Sequence, residues 1–138
     1  MISAIIGAKV FLINSSGQIL ALRRSETDDI RPLTWDIPGG GVEQDESPIN
    51  TVIREVKEEV GLDISNPTIF YINSINTEGY RIRLLFYAKC DPEQITLSFE
   101  HDQYKWVSID EFTKLELPDY QIEAANKLSK YINRPSSI

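Results

Sequence analysis

Residues 40–62 read GGVEQDESPINTVIREVKEEVGL, and the helix inside this stretch sets the frame for the rest of the chain. Ser47 is placed to cap that helix, Pro48 suits its first turn, and Gly61 suits a left-handed C-terminal cap. At about 100° per residue, Ile49, Val52, Ile53, Val56 and Val60 fall on one apolar stripe that should face a core. Glu55, Glu58 and Glu59 are expected together on the opposite side, spaced so that their carboxylates can converge on one point. Like charges at these spacings repel by about 0.2–0.5 kcal/mol per pair, and they occupy the helix end where the dipole favours Lys or Arg. Two readings follow. One is a solvated acidic face. The other is a site for a hard divalent cation such as Mg²⁺ or Mn²⁺, which takes oxygen ligands and leaves room for phosphate oxygens.

Upstream, Pro38-Gly39-Gly40-Gly41 is expected to be irregular, its glycines free to take positive φ and to bring peptide groups close to an ion or ligand. An ordinary tight turn is the alternative. Further out, Ser3–Ile13 reads as a strand, turned by Asn14-Ser15-Ser16-Gly17 into a second strand over Gln18–Arg23. Arg24–Thr34 reads as a loop and Trp35–Ile37 as a short extended piece. Downstream, Pro67–Ser74, Tyr80–Cys90 and Gln103–Val107 read as strands. Asp119–Asn133 reads as a terminal helix, with Ile122, Leu128 and Ile132 at helical spacing. Strands before, between and after two helices imply an α/β or α+β layered domain. With no repeat or linker in view, residues 1–138 are expected to form one domain, with 135–138 a frayed tail.

The chain has 138 residues, 41% of them hydrophobic and 25% charged, which excludes a disordered or fibrous class. Fourteen Lys and Arg against 21 Asp and Glu give a net charge of −7, which argues against nucleic acid as the main partner. An anionic substrate would then have to be held by something other than net charge. Cys90 is the only cysteine, so no internal disulfide is available. No apolar run approaches the roughly 18 residues of a membrane span. Met1–Val10 lacks a basic leader region and reads as the first strand, so a cytoplasmic location is expected.

From Gly40 through Glu46 to Arg54-Glu55-Val56-Lys57-Glu58-Glu59-Val60-Gly61-Leu62, the spacing resembles the Nudix box, G-x5-E-x7-R-E-U-x-E-E-x-G-U with U aliphatic, at every specified position. Trp35-Asp36-Ile37-Pro38-Gly39-Gly40 and Trp106-Val107-Ser108-Ile109-Asp110-Glu111-Phe112 also resemble MutT-like members of the Nudix hydrolase family. The resemblance implies an α/β/α sandwich with a mixed central sheet, and metal-dependent hydrolysis of nucleoside diphosphate derivatives with Mg²⁺ or Mn²⁺. It implies that Glu55, Glu58 and Glu59 are metal ligands and that the Gly39 carbonyl is a backbone ligand, with Gly40 beside the substrate. Glu46 would act near the metal through water, and Arg54 would orient Glu55. A downstream acidic ligand is implied as well: Glu100 is the candidate, with Asp102 and Gln103 as alternatives. His101, the only histidine, is expected to be solvated and outside the site.

For the substrate, a MutT-like nucleoside triphosphate pyrophosphohydrolase is the first reading by resemblance. Dinucleoside polyphosphate or nucleotide-sugar hydrolysis is an alternative within the family, and a non-catalytic nucleotide-sensing module is an alternative of another class. Thr77-Glu78-Gly79 stand where ADP-ribose-type members carry a proline, which weakens that substrate. Tyr80 stands near where dinucleoside polyphosphate members carry a tyrosine, and core packing is its plainer reading. Arg23 and Arg24 are candidate phosphate contacts, whereas Arg81 and Arg83 read as salt-bridged surface. Asp119 and Tyr120 lie near where relatives contact the base. A small-molecule nucleotide is the expected partner, and a homodimer is left open. Cys90 has no part in this chemistry, so Cys90→Ser should keep most of the turnover; a loss beyond about tenfold without unfolding would reveal a thiol role.

Overall fold

The computed structural model describes residues 1–92 and 94–132, so the tail expected to fray lies outside the described residues. Strand β1 (Ala4–Ile13) runs through the middle of a seven-stranded mixed sheet. The chain leaves it by a turn built on Asn14, whose side-chain Oδ1 accepts from Ser16 N at 3.1 Å and from Gln18 N at 2.9 Å. Strand β2 (Ile19–Arg24) returns antiparallel, and β3 (Trp35–Asp36) pairs with it. Strand β4 (Gly39–Gly41) pairs antiparallel with β1, Gly39 opposite Lys9 and Gly41 opposite Gly7. After helix α1 (Pro48–Val60), strands β5 (Thr68–Asn76) and β6 (Tyr80–Lys89) form an antiparallel pair. Strand β6 lies parallel to β1 from Ala4 opposite Tyr80 to Ile13 opposite Lys89. Strand β7 (His101–Val107) then pairs with β2, followed by the short helix α2 (Ile109–Phe112) and by α3 (Asp119–Ile132).

The strand alternation distributes two cores. Ala8, Val10 and Leu12 of β1, with Leu20 and Leu22 of β2, pack against Val52, Val56 and Val60 of α1. Phe11, Ile13, Ile19 and Ala21 point the other way and pack against Phe112 of α2 and Ala124, Ala125 and Leu128 of α3. The result is a mixed sheet with helices on both faces, in which β1 and β2 are apolar on both sides because both sides are covered. Phe11 anchors the second layer, its ring 5.6 Å from Phe112 and 5.8 Å from Phe70 in edge-on contacts. Among the described residues no helix is long and apolar enough to cross a membrane.

Three local expectations change. Gly39–Gly41 is a paired strand, not irregular chain, because β1 offers a free ladder there: Val10 N donates to Pro38 O at 2.9 Å and Val42 N to Ile6 O at 2.9 Å on either side of it. Strand β7 starts at His101. Helix α2 is an element the sequence reading does not include; its start is held by a reciprocal capping box, in which Glu111 N donates to Ser108 Oγ and Ser108 N to Glu111 Oε1, both at 3.1 Å.

Helix α1 is bounded as its sequence dictates. Asn50 N donates to Ser47 Oγ at 3.1 Å, and Gly61, at φ 74°, donates its N–H to Lys57 O at 3.1 Å. A Cβ at Gly61 would meet Thr96 Cβ at 3.4 Å, an ordinary contact, so a substitution there is opposed mainly by the backbone. Gly61→Ala should therefore cost about 1–2 kcal/mol, measured as a lower urea midpoint with an unchanged slope.

Candidate active site

Helix α1 and strand β4 face each other, and acidic side chains of the helix come up against the all-glycine backbone of the strand. The first of the acidic group is Glu46, just before the cap. Its carboxylate accepts from Arg54 Nε at 2.7 Å and Arg54 Nη2 at 3.1 Å, from Thr51 Oγ1 at 2.6 Å and from Glu43 N at 3.2 Å. The Arg54 guanidinium, more than any other partner, holds this carboxyl down at about 2. The same guanidinium turns Nη1 to Glu55 Oε1 at 3.0 Å and to Glu58 Oε2 at 3.2 Å. One arginine thus gathers three carboxylates, and Glu46 fixes the arginine by a two-point contact.

Glu55 is half-buried, and burial raises its carboxyl above the ordinary range, with the neighbouring Arg54 pulling it down. It lies hard against Gly40: a Cβ built there would stand 2.5 Å from Glu55 Oε1. Only glycine lets the carboxylate and the β4 backbone come this close. Glu58 projects into solvent.

Glu59 behaves differently and corrects the helical-wheel expectation. It does not lie opposite the apolar stripe; it is 4% exposed and shares the buried arc of α1 with Thr51, Val52, Val56 and Val60. Ile49, expected in the stripe, is 47% exposed. At 100° per residue Glu59 stands only about 20° around the helix from Val52, so the wheel itself sets it at the edge of the stripe, where β4 offers Gly39 N–H to Glu59 Oε2 at 2.8 Å. Burial pushes the Glu59 carboxyl up to about 8, against the opposing pull of the Lys9 ammonium and of the Gly39 N–H.

The three carboxylates do not share one point: Glu55 and Glu58 turn to Arg54, and Glu59 turns to Gly39. Among the described residues no three Asp, Glu, His or Cys side chains form a ready cation cage. The chemistry of the donors nonetheless fits a hard divalent cation. They are all oxygens, and two of the carboxyls are pushed upward because burial leaves their negative charge poorly solvated.

Around this centre the other candidates separate. Glu100 is exposed in the turn before β7, and its charge adds to the upward push on Glu55, while its carbonyl accepts from Ser25 N at 3.0 Å. Asp102 is held by Arg23 through two contacts at 2.8 and 3.1 Å, and Gln103 lies opposite Arg23 in the β2–β7 pairing. Arg23 and Arg24, candidates for phosphate contact, are thus both engaged by carboxylates. Arg24 bridges Asp36 at 2.8 Å and Asp28 at 2.7 Å. Tyr80 sits at the start of β6 opposite Ala4, several residues along β1 from Gly39 and Gly40. Arg83 makes no ion pair among the described residues; it donates to Asn73 Oδ1 at 3.1 Å and stacks on the Tyr120 ring at 4.4 Å. Asp119 opens α3. Cys90 is half-buried and its thiol is raised by that burial, which suits an inert thiol.

Some residues near the site carried no assignment from sequence. Asp36 is buried and accepts from Lys9, Arg24 and Gln121 side chains and from Ile37 N. Lys9 and Gln121 reach it from β1 and α3. The available signal was a lysine in an otherwise apolar strand and an aspartate between Trp35 and Ile37. His101 is buried, not solvated, because it opens β7 opposite Arg24, and burial lowers its pKa.

A family model described as the NUDIX domain matches residues 5–128. A MutT-like protein of Streptomyces ambofaciens is 29% identical over 117 residues, covering 85% of this chain and 72% of that protein. The asymmetrical bis(5'-nucleosyl)-tetraphosphatase of Sus scrofa is 33% identical over 95 residues, covering 59% of this chain and 60% of that protein. Among solved structures, the MutT protein of Methanosarcina mazei Go1 superposes with a TM-score of 0.82 at 30% identity, covering 95% of this chain and 96% of that one.

The state of Glu59 is testable with metal chelated. The folded protein keeps a proton on Glu59 up to about pH 8, whereas an unfolded glutamate releases it near 4.5, so this carboxyl destabilises the fold progressively as pH rises between those values. Glu59→Gln stays neutral throughout. Thermal melts from pH 5.5 to 8.5 should show the variant gaining on the original protein with rising pH, by roughly 1–3 kcal/mol at the alkaline end. Parallel curves would refute the burial argument.

Proposed function

The chain belongs to the NUDIX family and is a Nudix pyrophosphohydrolase, and from that premise we propose that it cleaves nucleoside triphosphates to the nucleoside monophosphate and pyrophosphate. The observation that carries the hydrolytic part of this reading is the pairing of a buried Glu59 with Gly39 and of Glu55 with Gly40, on the helix whose box is complete. Similarity to a nucleoside triphosphatase of Escherichia fergusonii, 27% identical over 118 residues, supports the triphosphate. A dinucleoside polyphosphate is the second reading, favoured by the 33% identity to the tetraphosphatase of Sus scrofa.

Family members use a divalent metal. In this chain Glu55, Glu58 and Glu59, the Gly39 backbone and Glu100 would hold Mg²⁺ or Mn²⁺. When bound, such an ion neutralises diphosphate charge and acidifies water. The chain's own work is positioning. Glu46 fixes Arg54, Arg54 aims the Glu55 and Glu58 carboxylates, and Gly39 N–H aims Glu59. One of these carboxylates accepts the proton from the water that attacks phosphorus. The buried layer of Val52, Val56 and Val60 behind them keeps the helix from shifting as charge changes. A non-catalytic sensing role fits poorly with an intact set of carboxylates. We take residues 1–138 as one catalytic unit.

The deciding measurement is a panel of nucleoside triphosphates, dinucleoside polyphosphates, ADP-ribose and nucleotide sugars, with released phosphate species identified. Turnover should require Mg²⁺ or Mn²⁺, with Ca²⁺ a poor substitute. Glu58→Gln should lower kcat by about two or more orders of magnitude while the melting temperature without metal changes little, because a repulsion with Glu55 and an exposed ion pair with Arg54 are lost together. Full turnover in excess chelator, or in Glu58→Gln, would defeat the reading.

A further inference from the structure

Lys9 is a charged residue between the buried Ala8 and Val10 of β1. It lies directly opposite Gly39 in the β1–β4 pairing. Its Nζ donates to Asp36 Oδ1 at 3.1 Å and to the Ile37 carbonyl at 3.2 Å, so one side chain grips the two residues that lead into Pro38 and Gly39. To get there it passes over Gly39: a Cβ at that position would stand 2.8 Å from Lys9 Cδ, 2.6 Å from Lys9 Cα and 2.3 Å from the Ala8 carbonyl oxygen. Next along the chain, Val10 N holds the Pro38 carbonyl at 2.9 Å. Gly39 in turn donates its N–H to Glu59 at 2.8 Å.

A plain counter-ion for Asp36 would explain the charge but not the route. Asp36 already accepts from Arg24 Nη1 at 2.8 Å, Gln121 Nε2 at 2.7 Å and Ile37 N at 2.8 Å. The contact that only Lys9 makes is with the Ile37 carbonyl, in the short link from β3 into Gly39. We propose that Lys9 is a positioning residue, whose grip on Asp36 and Ile37 fixes the Gly39 peptide so that its N–H stays on Glu59. If Gly39 turned away, a buried carboxyl oxygen would lose its donor and Glu59 would reorient. The inference rests on Glu59 belonging to the working site.

The test reads the Gly39 amide directly, by NMR hydrogen exchange on the metal-free protein, alongside steady-state kinetics. In Lys9→Met, Gly39 exchange should quicken about tenfold or more while the amides of Val52 and Val56 keep their rates. With metal and substrate, kcat should fall about 10- to 100-fold with KM within about threefold. Lys9→Gln, which keeps a donor on a shorter stem, should quicken the same amide and serves where Lys9→Met does not fold. Unchanged Gly39 exchange would overturn the proposal. So would equal quickening across α1, which would mark Lys9 as a general stabiliser, or full turnover with Gly39 loosened. Glu59→Gln with undiminished turnover would instead overturn the site reading, and it leaves the Gly39 measurement standing.

Discussion

Strands β1 and β4 approach with glycine at the points of closest contact. At Gly39 the space a Cβ would need is filled by the Ala8 carbonyl and the Lys9 stem, and at Gly40 by the Glu55 carboxylate. Add either methyl and a backbone or a carboxylate must move. Because β4 is paired by its main chain to β1, its N–H groups serve as references for whatever α1 carries. The three valines of α1 seat the helix on the same strand from the same side. Helix and strand are thus both registered on β1, and the positions of Glu55 and Glu59 follow from that shared registration rather than from contacts among the glutamates.

Charge is organised around the same contact. The chain carries −7, and its cations near the cluster are already engaged: Arg54 among Glu46, Glu55 and Glu58, Arg24 between Asp28 and Asp36, Arg23 on Asp102. Arg54 also confines repulsion, since Glu55 and Glu58 approach the same nitrogen from two positions instead of each other. Surroundings then split the acids: Glu46, doubly bonded to Arg54, is strongly acidic, while burial makes Glu59 resist ionisation. Chemically alike side chains at the two ends of α1 acquire different tasks from what surrounds them.

Much of the layered fold could be read directly, because the signals were local. Ser47, Pro48 and Gly61 bound α1 where they stand in sequence, Asn14 makes the first turn, and the apolar runs of β1, β2 and β6 become strands. What escaped depended on distant partners. Glu59 stands about 20° from Val52 on the wheel, at the edge of the apolar stripe, and only the β4 backbone beside the helix shows what receives it. Glycines that look like breakers pair as a strand because β1 presents a ladder to them. His101 looked like a loop residue until β7 placed it opposite Arg24, and Arg23 and Arg24 looked free until Asp102, Asp28 and Asp36 arrived from other segments. Sequence spacing gave the chemistry of the carboxylates; only tertiary packing gave their individual environments.

The parallel pairing of β1 with β6 bears on how the chain comes to be folded. One edge of β1 can be closed early by the adjacent turn to β2 and by β4, but the other waits for Tyr80–Lys89, which is the second strand of a hairpin far along the chain. During synthesis the most apolar strand therefore stands half-covered while α1 and β5 are made. That interval exposes an unpaired run of backbone donors and acceptors to other nascent chains. Crowded, rapid expression should thus trap this protein as aggregate through β1, and slower synthesis at lower temperature gives β6 time to close the edge.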